Sequence, residues 1–302
     1  MILDDLSTGR RENIDHLLDS GAAELVEGCV TNAELVHDCM RAVDGCFHLA
    51  SAVGVQLIVQ QPLQSLLTNV RGIDVVMSAA VEHGRRLLFT STSEVYGKNS
   101  GDALHEMSDR VLGPPSVSRW SYSTAKAFGE AVLYGYSREH GAQMVAVRLF
   151  NTVGPRQASA YGMVVPRFVR QALAHEPLTV YGDGLQSRCF GHVADAVRAI
   201  GLVFDCDEAL GNVYNVGARV ELPIVELARR VIERTGSSSS INLVPYGEAY
   251  APGFEELGRR RPDTTALYEL TGWQATRTVE EAIDDVIAFE TRNVAQELKL
   301  AG

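Results

Sequence analysis

At 302 residues, 46% hydrophobic and 22% charged, the chain has the composition of a soluble globular protein, long enough for one large domain or a large domain with a smaller lobe. A formal net charge of -11 excludes a general nucleic-acid binder, since no basic surface is available to displace phosphate counterions; a small anion held by a few arginines stays open. The five cysteines, at 29, 39, 46, 189 and 206, include no Cys-x-x-Cys, no apolar run reaches bilayer length and no signal-peptide pattern occurs, so the expected setting is a reducing cytoplasm without membrane or metal.

Residues 1–5 read as the end of a strand, followed by a polar turn at 6–10 and a helix to about 18. Residues 23–30 form a second strand candidate, 32–43 a helix and 45–50 a third strand. A long helix over 62–83 leads to a short apolar strand at 85–90, and Ser91, Thr92, Ser93 and Glu94 stand at its end. In an open parallel sheet, ligands bind beyond the carboxyl ends of the strands. The spacing of Ala125, Phe128, Ala131, Val132 and Tyr136 predicts a helix over 122–140, and 143–150 is a further strand. Strands alternating with helices imply βαβ units and a mainly parallel sheet covered on both faces. From 151 onward, loop signals at 154–155, 181–184 and 251–253 break up shorter elements, as expected of a smaller lobe. Helices are predicted at 192–204, 223–235 and 279–294, the first returning to the main body.

Tyr122 and Lys126 are i and i+4 on the predicted helix, neighbours on one face. An ammonium beside a phenol favours the phenolate, which lowers the tyrosine pKa and makes it a usable general base. The same spacing occurs in ordinary helix-surface pairs; the strand-end cluster upstream, with a Thr92 hydroxyl able to share the substrate oxygen, favours the catalytic reading. His48 reads as a packed strand residue.

These residues resemble the extended short-chain dehydrogenase/reductase family, and within it the nucleotide-sugar epimerases, dehydratases and decarboxylases. The resemblance is carried by Leu3-Asp4-Asp5-Leu6-Ser7-Thr8-Gly9, Phe47-His-Leu-Ala50, Thr68-Asn-Val-Arg-Gly72, Ser91-Thr-Ser-Glu-Val-Tyr-Gly97, Tyr122-x-x-x-Lys126, Arg148-Leu-Phe-Asn-Thr-Val-Gly-Pro-Arg156, Pro177-Leu-Thr-Val-Tyr-Gly-Asp-Gly184, Gln186-Ser-Arg-Cys-Phe190 and Arg260-Arg-Pro-Asp263. It implies a Rossmann-like doubly wound parallel sheet over 1–150, joined by about 186–205, and a nucleotide-sugar lobe mainly over 151–302. It implies NAD as cofactor, with Asp4, Asp5, Leu49, Ala50, Ser51, Asn69, Tyr122 and Lys126 around it. It further implies a UDP-sugar oxidised at C4, with Tyr122 as base, Lys126 tuning it and Thr92 on the C4 oxygen. Asn151 is placed near the sugar, Leu178 and Tyr181 around the uracil and Arg188 on the diphosphate, with Arg156 and Arg167 as further anion candidates. A homodimer through the helices at about 62–83 and 122–140 completes the expectation.

Within the family, Thr92-Ser93-Glu94, Arg260 before Arg-Pro-Asp, and Arg119-Trp120 before the tyrosine look like UDP-glucuronate decarboxylases. Once C4 is a ketone, a C6 carboxylate is a β-keto acid and loses carbon dioxide readily. Ser93 and Glu94 are then candidates for orienting it and handling a proton, and Arg260 for holding the carboxylate or the diphosphate. A 4,6-dehydratase would place Asp-Glu where Ser93-Glu94 stand; a simple 4-epimerase has no use for Glu94, although an epimerase acting on UDP-glucuronate remains an alternative.

Two departures lie on the cofactor side. The chain begins inside what resembles the family's second strand, without the Gly-x-x-Gly-x-x-Gly turn that brings a backbone to the pyrophosphate, and Gly28-Cys29 stands where the family has Gly-Asp. The first predicts a sheet with unpaired edges. Together they open a reading of another class, a non-catalytic nucleotide-sugar-binding relative of an intact enzyme.

Overall fold

A computed structural model describes residues 1–53, 61–158, 163–249 and 259–301; the loop signal at 251–253 lies outside them. The first half alternates as β1 (Ile2–Asp4), α1 (Asp15–Asp19), β2 (Leu25–Glu27), α2 (Ala33–Arg41), β3 (Gly45–His48), α3 (Pro62–Glu82), β4 (Arg86–Thr92), α4 (Ser121–His140) and β5 (Met144–Leu149). The second half runs β6 (Thr152–Val153), α5 (Val164–Leu173), β7 (Leu178–Tyr181), β8 (Ser187–Cys189), β9 (Gly191–His192), α6 (Val193–Asp205), β10 (Val213–Val216), β11 (Glu221–Pro223), α7 (Ile224–Thr235) and β12 (Ile241–Val244). It closes with α8 (Tyr246–Ala249), α9 (Thr265–Thr271) and α10 (Val279–Ala301).

A four-stranded parallel sheet in the order β10-β5-β4-β3 forms the centre. Its strands read as continuous apolar runs because both faces are covered. Leu87 and Phe89 of β4 enter one core with Ile73, Met77 and Leu133 from α3 and α4. Leu88 enters the opposite core with Val145, Val147, Val203 and Trp273. Helix α6 belongs to this second core, so residues 193–205 pack on the central sheet. A third core, with Val165, Phe168, Leu178, Val180, Leu227 and Ile283, lies within the carboxyl-terminal elements.

Strands β1 and β2 pair in parallel, Leu3 opposite Val26, and share no ladder with the central sheet. Among the described residues the pair and β3 thus each present an edge with no ladder partner. What joins the pair to the rest is packing: Leu3 and Val30 lie against the core that α2 and α3 share through Val36, Met40, Ile73 and Val76.

Helix α4 is drawn onto β4 at Gly129, where a Cβ would stand 2.7 Å from the Phe89 ring. Only a glycine allows that approach, and it hangs Tyr122 and Lys126 over the end of β4. At the end of β3, His48 is buried and stacked on Phe89. Burial, then the Lys126 ammonium, hold its pKa down to about 3. A histidine kept neutral in the fold takes up a proton first in the unfolded chain, so its stabilisation is complete above about pH 6.5 and is lost as pH falls toward 3. Urea unfolding should show stability falling by up to about 1.4 kcal/mol per pH unit over that window, and His48→Gln should flatten the slope; an unchanged slope means another group sets it.

Candidate active site

Beyond the carboxyl ends of β4 and β5 opens a cavity of about 420 Å³ lined by Thr92, Glu94, Tyr122, Lys126, Asn151 and Arg260 among others. Thr92 accepts the backbone N–H of Glu94 at 3.2 Å, capping the short turn Ser93–Tyr96 and fixing where Ser93 and Glu94 leave the strand. Glu94 is met by two guanidiniums, Arg119 at 2.9 Å and Arg260 at 3.6 Å, and Arg260 also donates to the Ser93 hydroxyl at 3.4 Å. Burial pushes the Glu94 carboxyl up, but Arg119, Arg260 and Arg188 together hold it below the ordinary range. It is a carboxylate ion, with no proton of its own to give at neutral pH.

Lys126 is fully buried and donates to the Thr90 carbonyl at 2.8 Å, with its ammonium 5.9 Å from the centre of the Tyr122 ring. Burial pulls the lysine pKa down to about 7. The tyrosine goes the other way: burial and then the Glu94 charge raise its pKa, with only a hydrogen bond to Ser51 opposing them. This corrects the expectation that Lys126 lowers Tyr122. Desolvation penalises both charged forms at once, and the lysine's closest partner is a carbonyl rather than the phenol.

On the substrate side, Asn151, Tyr181, Arg167 and Arg188 all line the cavity. Arg167 stacks over the Tyr181 ring at 4.5 Å and donates to the Thr179 carbonyl at 3.2 Å. Leu178 is a correction: it is wholly buried in the lobe core. On a strand successive side chains face opposite sides, so Leu178 and Val180 point into the core while Tyr181 reaches the cavity. Arg156 is a second correction. Its backbone has φ 69, and its side chain donates to the Asn13 carbonyl at 3.2 Å in a different cavity.

That second cavity, about 640 Å³, adjoins the first at Leu49, Ser51 and Val53 and includes Asp4, Asp5, Cys29, Ala50 and Asn69. Asp4 accepts Leu6 N–H at 2.7 Å and Asp5 accepts Ser7 N–H at 3.0 Å, side-chain turns that close the end of β1. Asn69 clamps the loop after β3, accepting from Ser51 Oγ at 2.9 Å and Ala52 N at 2.8 Å and donating to Ala52 O at 3.0 Å.

Residues 1–217 match the model of the NAD dependent epimerase/dehydratase family. The chain belongs to that family. It is 34% identical over 289 residues to UDP-N-acetyl-alpha-D-glucosaminuronate decarboxylase of Bacillus cytotoxicus, covering 95% of this chain and 88% of that protein. To UDP-glucuronic acid decarboxylase 1 of Xenopus tropicalis it is 32% identical, covering 95% of this chain and 65% of the longer relative. The structure of dTDP-glucose 4,6-dehydratase from Streptomyces venezuelae, solved with NAD, matches at a TM-score of 0.87 and 26% identity over 97% of this chain and 88% of that one.

The donor set fits the NAD of this epimerase/dehydratase family. The Asp4 carboxylate, lining the second cavity, suits ribose hydroxyls, and the buried Lys126 ammonium, lining the adjoining first cavity, suits the other ribose. Arg10 and Arg156 also line the second cavity, cations suited to a pyrophosphate.

Sequence reading left two arrangements out. In sequence, Arg119 stands out only by its place before Trp120 and Tyr122; its pairing with Glu94 joins residues 25 apart. Behind the site, Glu130 accepts from two of the three guanidinium nitrogens of Arg148, Nε at 2.9 Å and Nη2 at 2.6 Å, and from the Ser91 hydroxyl at 2.5 Å. Glu130 lies one turn beyond Lys126 on the same face of α4, a spacing the sequence displays but does not interpret.

Proposed function

We propose that the chain decarboxylates a UDP-hexuronate through a 4-keto sugar, with UDP-glucuronate as substrate and UDP-xylose or the UDP-4-keto-pentose as product. The observation that carries this reading is the buried Glu94-Arg119-Arg260 cluster beside Thr92 and Tyr122. A 4-epimerase has no use for two guanidiniums gathered there, whereas a C6 carboxylate needs such a partner. A non-catalytic binder has no use for the intact Thr92, Tyr122 and Lys126 set.

The Tyr122 side chain takes the proton of the C4 hydroxyl as the phenolate, a form that burial disfavours in the unliganded protein and that the positive charge of bound NAD beside Lys126 would favour, and the Thr92 hydroxyl holds the same oxygen. Bound NAD supplies the acceptor for the C4 hydrogen and a positive charge beside the phenol. With C4 a ketone, the C5–C6 bond breaks, carbon dioxide leaves, and the electron pair forms an enolate whose oxygen Tyr122 and Thr92 hydrogen-bond; a proton from solvent at C5 gives the 4-keto-pentose, and return of the removed hydrogen to C4, with the Tyr122 proton to its oxygen, would give UDP-xylose. Arg260 orients the C6 carboxylate. Glu94, held ionised, fixes both guanidiniums and keeps the cluster's charge in check. Arg167, Tyr181 and Arg188 take the UDP.

The test is incubation with UDP-glucuronate and NAD, following the anomeric proton by NMR, with the N-acetylated uronate run in parallel. A pentose or 4-keto-pentose supports the reading, a galacturonate signal replaces it with epimerisation, and UDP binding without turnover replaces it with a binding protein. Glu94→Gln should slow carbon dioxide release at least tenfold more than C4 oxidation. Equal losses would remove the special role of Glu94.

Exposed apolar surface supports a homodimer. Helices α3 and α4 pack together and leave Leu63, Leu67, Phe128 and Tyr134 exposed, and a homodimer would cover them. Sedimentation should find a dimer that Phe128→Glu weakens. Among the described residues no helix is long and apolar enough to cross a membrane, and the five free cysteines fit a cytoplasmic location.

A further inference from the structure

We infer that the chain holds a divalent transition-metal ion, of the zinc class, between α2 and α3 through His37, Glu82 and His83. One donor atom from each of these side chains lies within 4.8 Å of the others. His37 Nδ1 is 3.5 Å from Glu82 Oε2, and the two imidazoles meet edge to face with centroids 5.4 Å apart. In a tetrahedral site with metal–ligand bonds near 2.0–2.1 Å, donors stand about 3.4 Å apart. The His37–Glu82 pair already has that separation, and His83 closes the set by a movement of at most about 1.5 Å.

An ordinary His37–Glu82 ion pair does not account for the third member. His83 Nε2 is buried and has no hydrogen-bond partner among the described residues, and buried polar nitrogens are rarely left so. Two imidazoles and one carboxylate are a borderline donor set that suits zinc and leaves a fourth position for water. Arg41 pairs with Asp38 at 3.1 Å, and Arg85 donates one guanidinium nitrogen to the Arg41 carbonyl.

The site has a structural task. It sits where α3 ends, before β4 begins, whereas Thr92 and Glu94 lie past the far end of that strand, roughly 20 Å away. Because β1 and β2 share no ladder with the central sheet, the packing of α2 on α3 joins the Asp4-bearing unit to the main body. A metal bridging those helices fastens that joint.

The probe is zinc alone, titrated into tag-free, metal-stripped protein against a chromophoric chelator. One equivalent should bind with a micromolar or tighter Kd and raise the unfolding midpoint by roughly 5 °C at a hundredfold excess over Kd. His37→Ala and His83→Gln should each weaken binding at least tenfold, and His140→Ala should leave it unchanged. Binding that ignores both substitutions, or no stoichiometric binding, overturns the site. Should a variant misfold, cobalt(II) in the unaltered protein decides: intense visible bands of four-coordinate cobalt support the site, and the weak spectrum of hydrated cobalt overturns it.

Discussion

Tyr122→Phe should cut turnover by about 10³-fold, inside the ~10²–10⁴-fold range of a positioned general base, with UDP affinity unchanged. The substitution deletes one hydroxyl and keeps the ring, and that ring is buried against the Lys126 side of the cavity. The proposed UDP ligands, Arg167, Tyr181 and Arg188, come from other elements. Turnover followed by NMR and UDP binding by calorimetry separate the two effects. Activity surviving within tenfold would place the base elsewhere. The unliganded protein adds a spectroscopic test. Since burial and the Glu94 charge raise the phenol's pKa, no phenolate absorbance that Tyr122→Phe removes should appear between about pH 8 and 10, the range in which free tyrosine starts to ionise. Its appearance there would restore the lysine-lowered tyrosine expected from spacing alone.

Short-range chemistry was readable in the sequence, and long-range pairing was not. The end of β4 was visible as an apolar run stopping at hydroxyls and a carboxylate, and α4 as a 3.6-residue period, so the meeting of Thr92, Glu94, Tyr122 and Lys126 in one cavity followed from topology. Leu178 departs from its expected place because the motif that contains it lies on an alternating strand, where one residue of phase separates the core from the cavity. Arg156 went astray because a left-handed backbone turned its side chain toward Asn13, and nothing in residue type announces that turn at a non-glycine position. The sign of the Tyr122 shift was out of reach for another reason. Spacing reports which charges are near, whereas desolvation depends on everything else that surrounds them.

The clasp behind the site yields the largest expected effect on stability. Glu130 and Arg148 are each 6% exposed, and Arg148 also donates to Tyr96 Oη at 2.9 Å and the Glu106 carbonyl at 2.8 Å. Burial pulls the guanidinium's pKa down, but Glu130 and Tyr96 more than reverse that, so the charge is held firmly in place. Tyr96 in turn donates to Asn215, whose amide reaches the carbonyls of Leu104 and Asp263. The chain of bonds thus runs from α4 through β5 and β10 to the segment that carries Arg260. Removing one partner of a buried pair leaves the other charge uncompensated, so Arg148→Met should destabilise the fold by about 3–5 kcal/mol in urea unfolding. The double variant Glu130→Leu with Arg148→Met removes both charges and should recover most of that loss. Its turnover should stay low, because the Ser91 hydroxyl no longer has the Glu130 carboxylate to set the end of β4 against α4. Recovery of stability together with full activity would make the pair a packing element alone. Recovery of stability without activity separates the clasp's two tasks, holding the fold and setting Thr92 against Tyr122.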